Sequence, residues 1–217
     1  MKSIDEKLQS DFLKLLIEGN RLKCAEFIQN CSESGISIFD IYEKILKDSM
    51  YKVGELWEYN KISVATEHLA SAIVEAILND FYSKIISKEK TNKTVIVACV
   101  ESEFHQIGVK MISDVFEKNG WNAFFLGSNT PTNDLMIFIR KVKPDLIAIS
   151  LSIYFHFPIL EEMIQRIRNE FPETLILVGG QAFLHGGIEI ISNYKNVIYQ
   201  PDINSTELFI NTLNFHE

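Results

Sequence analysis

Val100-Glu101-Ser102-Glu103-Phe104-His105-Gln106-Ile107-Gly108 is a polar stretch set between two apolar ones. Before it, residues 94–100 form an uninterrupted apolar run of strand length. After it, residues 109–117 space their apolar side chains as an amphipathic helix does. A strand-to-helix loop of this kind lies at the carboxyl edge of a parallel sheet, where α/β proteins place ligands. The loop carries Glu-x-His with a glycine three residues on. An imidazole in that position can ligate a metal while the neighbouring carboxylate fixes its other ring nitrogen. Gly108 lets a bulky group approach the main chain. Taken alone, His105 reads more readily as an inert loop residue at a helix start than as a ligand, so the rest of the chain decides.

Working outward, the pattern downstream alternates strand and helix. Strands are expected at 94–100, 122–126, 146–151, 175–178 and 197–199. Helices are expected at 108–119, 132–142 (capped by Thr132 or Asn133), 159–170, 187–193 and 205–213. Five strands alternating with helices specify a doubly wound parallel α/β sheet, with flavodoxin-like order 2-1-3-4-5. Upstream the period is helical throughout. Ile4, Leu8, Phe12, Leu15 and Leu16 mark a first helix, broken at Gly19-Asn20, and residues 22–31 a second. Ser37 opens a third, through Ile41, Ile45, Met50, Val53 and Trp57. Ser63 opens a fourth, through Leu69, Ile73, Ile77, Phe81 and Ile85. A helical cap bundle over residues 1–88 and a Rossmann-like domain over 93–217 follow, with the polar residues 87–93 as linker.

Composition narrows the function classes. The 217 residues carry net charge −8. Residues 1–90 hold 12 Lys/Arg against 15 Asp/Glu and residues 91–217 hold 9 against 14, so neither half presents a basic face for nucleic acid or an anionic membrane. Three cysteines, an odd number outside any C-x-x-C pair, and no secretory signal point to a reduced cytoplasm.

In the expected strand order the ligand crevice opens between the first and third strands. The loop with Glu103, His105 and Gly108 follows the first strand, Ser150-Leu151-Ser152 closes the third, and Gly179-Gly180 follows the fourth. These describe a slot beside His105 for a long, partly polar tail, with Ser150 or Ser152 hydrogen-bonding a ring nitrogen. The serines read alternatively as a strand end satisfying its own backbone, and the glycines as a turn.

The combination Glu103-x-His105-x-x-Gly108, Ser150-x-Ser152 and Gly179-Gly180 resembles the Rossmann-like cobalamin-binding domain, whose usual form is Asp-x-His-x-x-Gly, Ser-x-Leu and Gly-Gly. The resemblance implies that His105 ligates cobalt from below, in place of the cofactor's own base, which is buried in the slot. Glu103 for Asp and Ser152 for Leu are departures that leave the required chemistry in place. Trp57, nine residues, then Glu67-His68 resembles the helical cap of light-sensing, adenosylcobalamin-dependent transcriptional regulators, as does the segment 125–131. This implies adenosylcobalamin (or methylcobalamin or hydroxocobalamin) as cofactor, with Trp57, Val64, Glu67 and His68 over its upper face. Those regulators also carry a DNA-binding domain, for which this sequence shows no counterpart. The position after Trp57, where the best-known members have a second cobalt-ligating histidine, is Glu58.

The expected function is therefore a stand-alone cobalamin-binding photosensor, not an enzyme, signalling to a separate partner protein without touching DNA. The alternative is a corrinoid methyl carrier of a methyltransferase system. Against it, such carriers typically have Phe-Leu-Pro-Gln where this chain has Ile62-Ser63-Val64-Ala65. His156, His185 and His216 are expected to be structural or exposed, with His156 near the edge of the third strand where it could brush the slot.

Overall fold

The computed structural model describes residues 6–214, so Ile4 and His216 lie outside the described residues. The chain divides into two compact units, one ending at Ile85 and the other beginning at Ile86.

The first unit is all helix. It consists of α1 (Glu6–Ile17), α2 (Arg21–Glu33), a long helix over residues 38–58, and α5 (Val64–Ile85). Ser37 and Ser63 open the last two as the sequence leads one to expect. The Ser37 hydroxyl accepts from the Asp40 N–H at 3.0 Å, and that of Ser63 from the Thr66 N–H at 3.2 Å. The long helix departs from the expected regular period. It runs as α3 (Ile38–Asp40), a π-helical stretch Ile41–Lys47, and α4 (Asp48–Glu58). In a regular α-helix the Lys44 carbonyl would take the Asp48 N–H. Here that N–H goes to the Ile45 carbonyl, and the Lys44 carbonyl accepts the side-chain amide of Gln9, from α1, at 2.7 Å. The wide turn buries Ile41, Tyr42, Ile45 and Leu46 completely. A donor that comes from another helix leaves no trace in a 3.6-residue period, which is why the sequence reads as unbroken helix.

The second unit is a three-layer α/β domain. Its elements are β1 (Thr94–Cys99), α6 (Ile107–Lys118), β2 (Asn122–Gly127), α7 (Thr132–Val142), β3 (Leu146–Ser150), α8 (Phe157–Glu170), β4 (Leu175–Gly179), α9 (Ile188–Ile191), β5 (Val197–Tyr199) and α10 (Ile203–Asn214). Single 3-10 turns, Tyr154–His156 and Gln181–His185, precede α8 and α9. The five strands are parallel in the order β2-β1-β3-β4-β5, the flavodoxin-like order the sequence predicts. The central strands read as continuous apolar runs because both faces are covered, with Val95 to Cys99 and Leu146 to Ala148 almost wholly buried.

Residues 87–93, expected to be the linker between the domains, bond to the second unit. The Ser87 and Thr91 N–H groups donate to the Glu117 and Gly120 carbonyls at 3.2 and 2.8 Å, and Lys90 pairs with Glu117. Gly120 permits this: its φ is +82°, and a Cβ there would stand 2.7 Å from the Glu89 carbonyl oxygen.

The start of α7 corrects another expectation. Neither Thr132 nor Asn133 caps it; Pro131 occupies the cap position and makes no side-chain bond. The missing acceptor comes from the loop after β1. One oxygen of Glu101 accepts from the Thr132 N–H at 3.0 Å and from its hydroxyl at 2.6 Å. A carboxylate at a helix N-terminus also meets the positive end of the helix dipole. No helix among the described residues is long and apolar enough to cross a membrane.

Candidate functional site

The strand register sets the site. Cys99 pairs with Ser150 and Ser150 with Gly179, forming one row across the carboxyl edge of β1, β3 and β4. The chain leaves that row through three loops. They hold Glu103, His105 and Gly108; Ser152 and His156; and Gly180. This is the crevice between β1 and β3 at the switch point of the sheet.

The loop after β1 is fixed rather than floppy. Ser102 adopts φ +68°, unusual for a residue with a side chain. Its N–H donates to the Asn129 side-chain oxygen at 3.1 Å, and the Asn129 N–H returns a 2.8 Å bond to the Glu103 carbonyl. Gln106 accepts from the Ser128 N–H at 3.2 Å. The segment after β2 thus serves as a brace for the histidine loop.

Glu103 is the hub. Its residue exposure is 0%, yet its carboxylate collects four donors. Oε1 accepts from the His105 ring Nδ1 and, at 3.1 Å, from the His105 N–H. Oε2 accepts from the Ser152 and Ile153 N–H groups at 3.1 and 2.9 Å. Burial, the largest influence, favours the neutral acid. The His105 ring and main-chain N–H groups, the Ile153 N–H and the His105 charge outweigh it, and they hold the carboxyl at about 2. Burial, and then the Glu103 charge, push the Cys99 thiol up to about 12. It remains a thiol, 3.5 Å from the His105 carbonyl to which it donates.

An ionised Glu103 requires the His105 proton on Nδ1. The neutral ring then carries its lone pair on Nε2, the nitrogen that ligates. The side chain of His105 is 62% exposed although its carboxylate partner is fully buried. A Cβ built on Gly108 meets nothing within 4 Å, so the main chain there borders open space. Phe104, Tyr154 and Phe155 stand exposed on the flanking loops. An oriented imidazole, space beside it and an apolar surround fit a flat metallo-macrocycle that brings its other ligands with it.

Ser152, Gly179 and Gly180 also make close contacts within the chain itself. Ser152 contributes its main-chain N–H to Glu103. The glycine pair serves the protein's own packing. A Cβ on Gly179 would lie 2.7 Å from the Gln200 carbonyl oxygen, and one on Gly180, at φ +113°, would lie 2.3 Å from that of Leu151. Replacing Gly180 with alanine is expected to cost about 3 kcal/mol in urea unfolding, from backbone strain added to a main-chain clash. Gly108→Ala, at an unstrained helical position, is expected to gain up to about 1 kcal/mol.

The remaining predicted residues lie together in the helical unit, where α4 turns into α5. Of the two tryptophans, Trp121 is buried against Phe116, whereas Trp57, near the end of α4, is 50% exposed. Val64, Glu67 and His68 share one face of the first turns of α5. Glu67 holds His68 Nδ1 at 2.6 Å and accepts from the Ser71 hydroxyl at 2.8 Å, repeating the carboxylate–imidazole arrangement of Glu103 and His105. Sequence pattern gives no signal for Glu101, Asn129 and Gln106 as parts of the site, and places His156 only at the edge of the slot. Each acts through a contact between loops far apart in the chain.

Comparison with known proteins agrees with this geometry. The chain is 26% identical over 143 residues to the HTH-type transcriptional repressor CarH of Myxococcus xanthus, covering 65% of this chain and 47% of the repressor. It is 28% identical over 134 residues to the methanol–corrinoid protein of Methanosarcina barkeri, covering 60% of this chain and 51% of that protein. It thus spans about half the length of these curated relatives. Its fold is similar to that of the Methanosarcina barkeri monomethylamine corrinoid protein, with a TM-score of 0.83 at 14% identity, over 97% of this chain and 100% of that one. Residues 8–79 and residues 93–187 each match a family model described as a B12 binding domain, and between them these take in most of the chain. The chain belongs to the B12-binding-domain proteins, and it is a cobalamin-binding protein.

Proposed function

We propose that this protein is a cobalamin-based sensor, a photoreceptor that takes adenosylcobalamin or another alkylcobalamin and passes its state to a separate protein partner. His105 is the lower cobalt ligand in this reading, and Glu103 sets its tautomer. Trp57, Val64, Glu67 and His68 attend the upper ligand. Ser150 and Ser152 remain for the cofactor's tail, with Gly179 and Gly180 setting how closely β4 approaches its neighbours. The observation that carries the assignment is the His105 ring, held at Nδ1 by a buried carboxylate while the side chain as a whole stays 62% exposed. The sensor reading rests on the Trp57-x9-Glu67-His68 spacing, whose members the structure leaves exposed or pre-oriented. When bound, an alkylcobalamin supplies a light-labile cobalt–carbon bond. The chain's part is to fix the ligand below, shield the group above, and present different surfaces in two states.

The test is a spectrum of the adenosylcobalamin-loaded protein in the dark and after illumination, with its oligomeric state measured alongside. Lasting change in both is expected; no change in either ends the sensor reading. The similarity to methanol–corrinoid protein supports a second reading as a methyl carrier. Reduction to cobalt(I) followed by methylation from a partner methyltransferase would favour it. Gly108→Phe is expected to leave the fold intact and weaken cobalamin binding at least tenfold by titration, because its side chain enters the space beside His105.

A further inference from the structure

Glu103 has a second histidine within reach. His156 closes the 3-10 turn Tyr154–His156, whose approach, at Ser152 and Ile153, hangs by its N–H groups from Glu103 Oε2. Its Nδ1 is buried, finds no hydrogen-bond partner among the described residues, and lies 3.7 Å from that same oxygen. At 3.7 Å the contact is not yet a hydrogen bond. A buried nitrogen left unpaired is costly, so a small closure of the turn is favourable. Facing a carboxylate, Nδ1 must be the donor, which leaves the His156 lone pair on Nε2. The two carboxylate oxygens are then served by two histidines, His105 on one and His156 on the other.

We infer that His156 is a positioning residue for His105, bonding Glu103 Oε2 and so clamping the carboxylate that aims the ligand ring. This rests on the reading of His105 as cobalt ligand. Oε2, bonded by the main-chain donors of the loop after β3 alone, shifts whenever that loop moves. A side-chain donor from the end of the same turn ties the loop's position to the orientation of the His105 ring. Partners of this kind change metal affinity by about 10- to 100-fold when removed.

The test compares His156→Leu, which keeps bulk and removes the donor, with His156→Asn, whose amide nitrogen falls near the place of Nδ1. In the cofactor-free protein, nitrogen NMR of the imidazoles reports the share of His105 carrying its proton on Nδ1. That share is expected to be dominant in the parent and in His156→Asn and to fall in His156→Leu. With cobalamin bound and reduced to cobalt(II), the nitrogen splitting in the electron paramagnetic resonance spectrum reports axial ligation. His156→Leu is expected to weaken cofactor affinity about tenfold and to show a mixture of ligated and unligated cobalt. A leucine variant matching the parent in both measurements, or an asparagine variant no better than leucine, overturns the proposal. A parent with no nitrogen splitting overturns the assignment of His105 instead, while the cofactor-free tautomer measurement still judges His156.

Discussion

Replacing His105 with alanine is expected to abolish the nitrogen ligand below cobalt, giving the spectrum of cobalamin carrying water or its own base. Affinity is expected to fall by more than about 100-fold, since that is the upper range for losing only a supporting partner of a ligand. The fold itself is expected to survive. The His105 ring is largely exposed and its main-chain bonds to Glu103 and Cys99 do not depend on it. Removing the ring does take one donor from the buried Glu103, so a loss of about 1–2 kcal/mol in unfolding is expected beside the binding defect. Added imidazole should restore the nitrogen-ligated spectrum, since the space vacated is open to solvent. A variant that keeps the parent's nitrogen splitting and affinity would remove His105 from the ligand position.

The strand order and the place of the site were legible because both rest on local patterns. Apolar runs bounded by polar loops fix the strands, and the carboxyl-edge rule then gathers 103–108, 150–152 and 179–180 onto one row. What stayed illegible is pairing between loops. Nothing in the sequence around Thr132 announces that Glu101 caps its helix, or around Ser152 that its N–H holds Glu103. Gly179-Gly180 reads as a place of close approach, and nothing local announces that the carbonyls of Gln200 and Leu151 already stand there. The π-helical stretch at Ile41–Lys47 was hidden for the same reason. Its Lys44 carbonyl is satisfied by Gln9, 35 positions away.

Glu103→Gln tests the hub itself and is expected to have the largest effect on stability. Each carboxylate oxygen faces two N–H donors, so an amide must turn its own NH2 toward one such pair. A buried donor set against donors is expected to cost about 3–5 kcal/mol, the range for breaking a buried charged arrangement. Freed from the carboxylate, His105 is expected to shift its proton toward Nε2, so ligation weakens without any change in the ligating residue. Glu103→Asp keeps the charge but is one methylene shorter; it is expected to cost less and to lose chiefly the reach to Ser152 and Ile153. Acid provides an independent readout on the cofactor-free protein. The Glu103 carboxyl titrates at about 2 in the folded chain against an ordinary 4.5. Its folded-state value is depressed, so its contribution is complete above about pH 4.5 and fades as pH falls toward 2. The span corresponds to about 3 kcal/mol. Urea unfolding across that range should show the parent losing this increment while Glu103→Gln, already without it, declines less steeply. Parallel curves for the two proteins would mean that the carboxylate is not the group that ties the loop after β3 to His105.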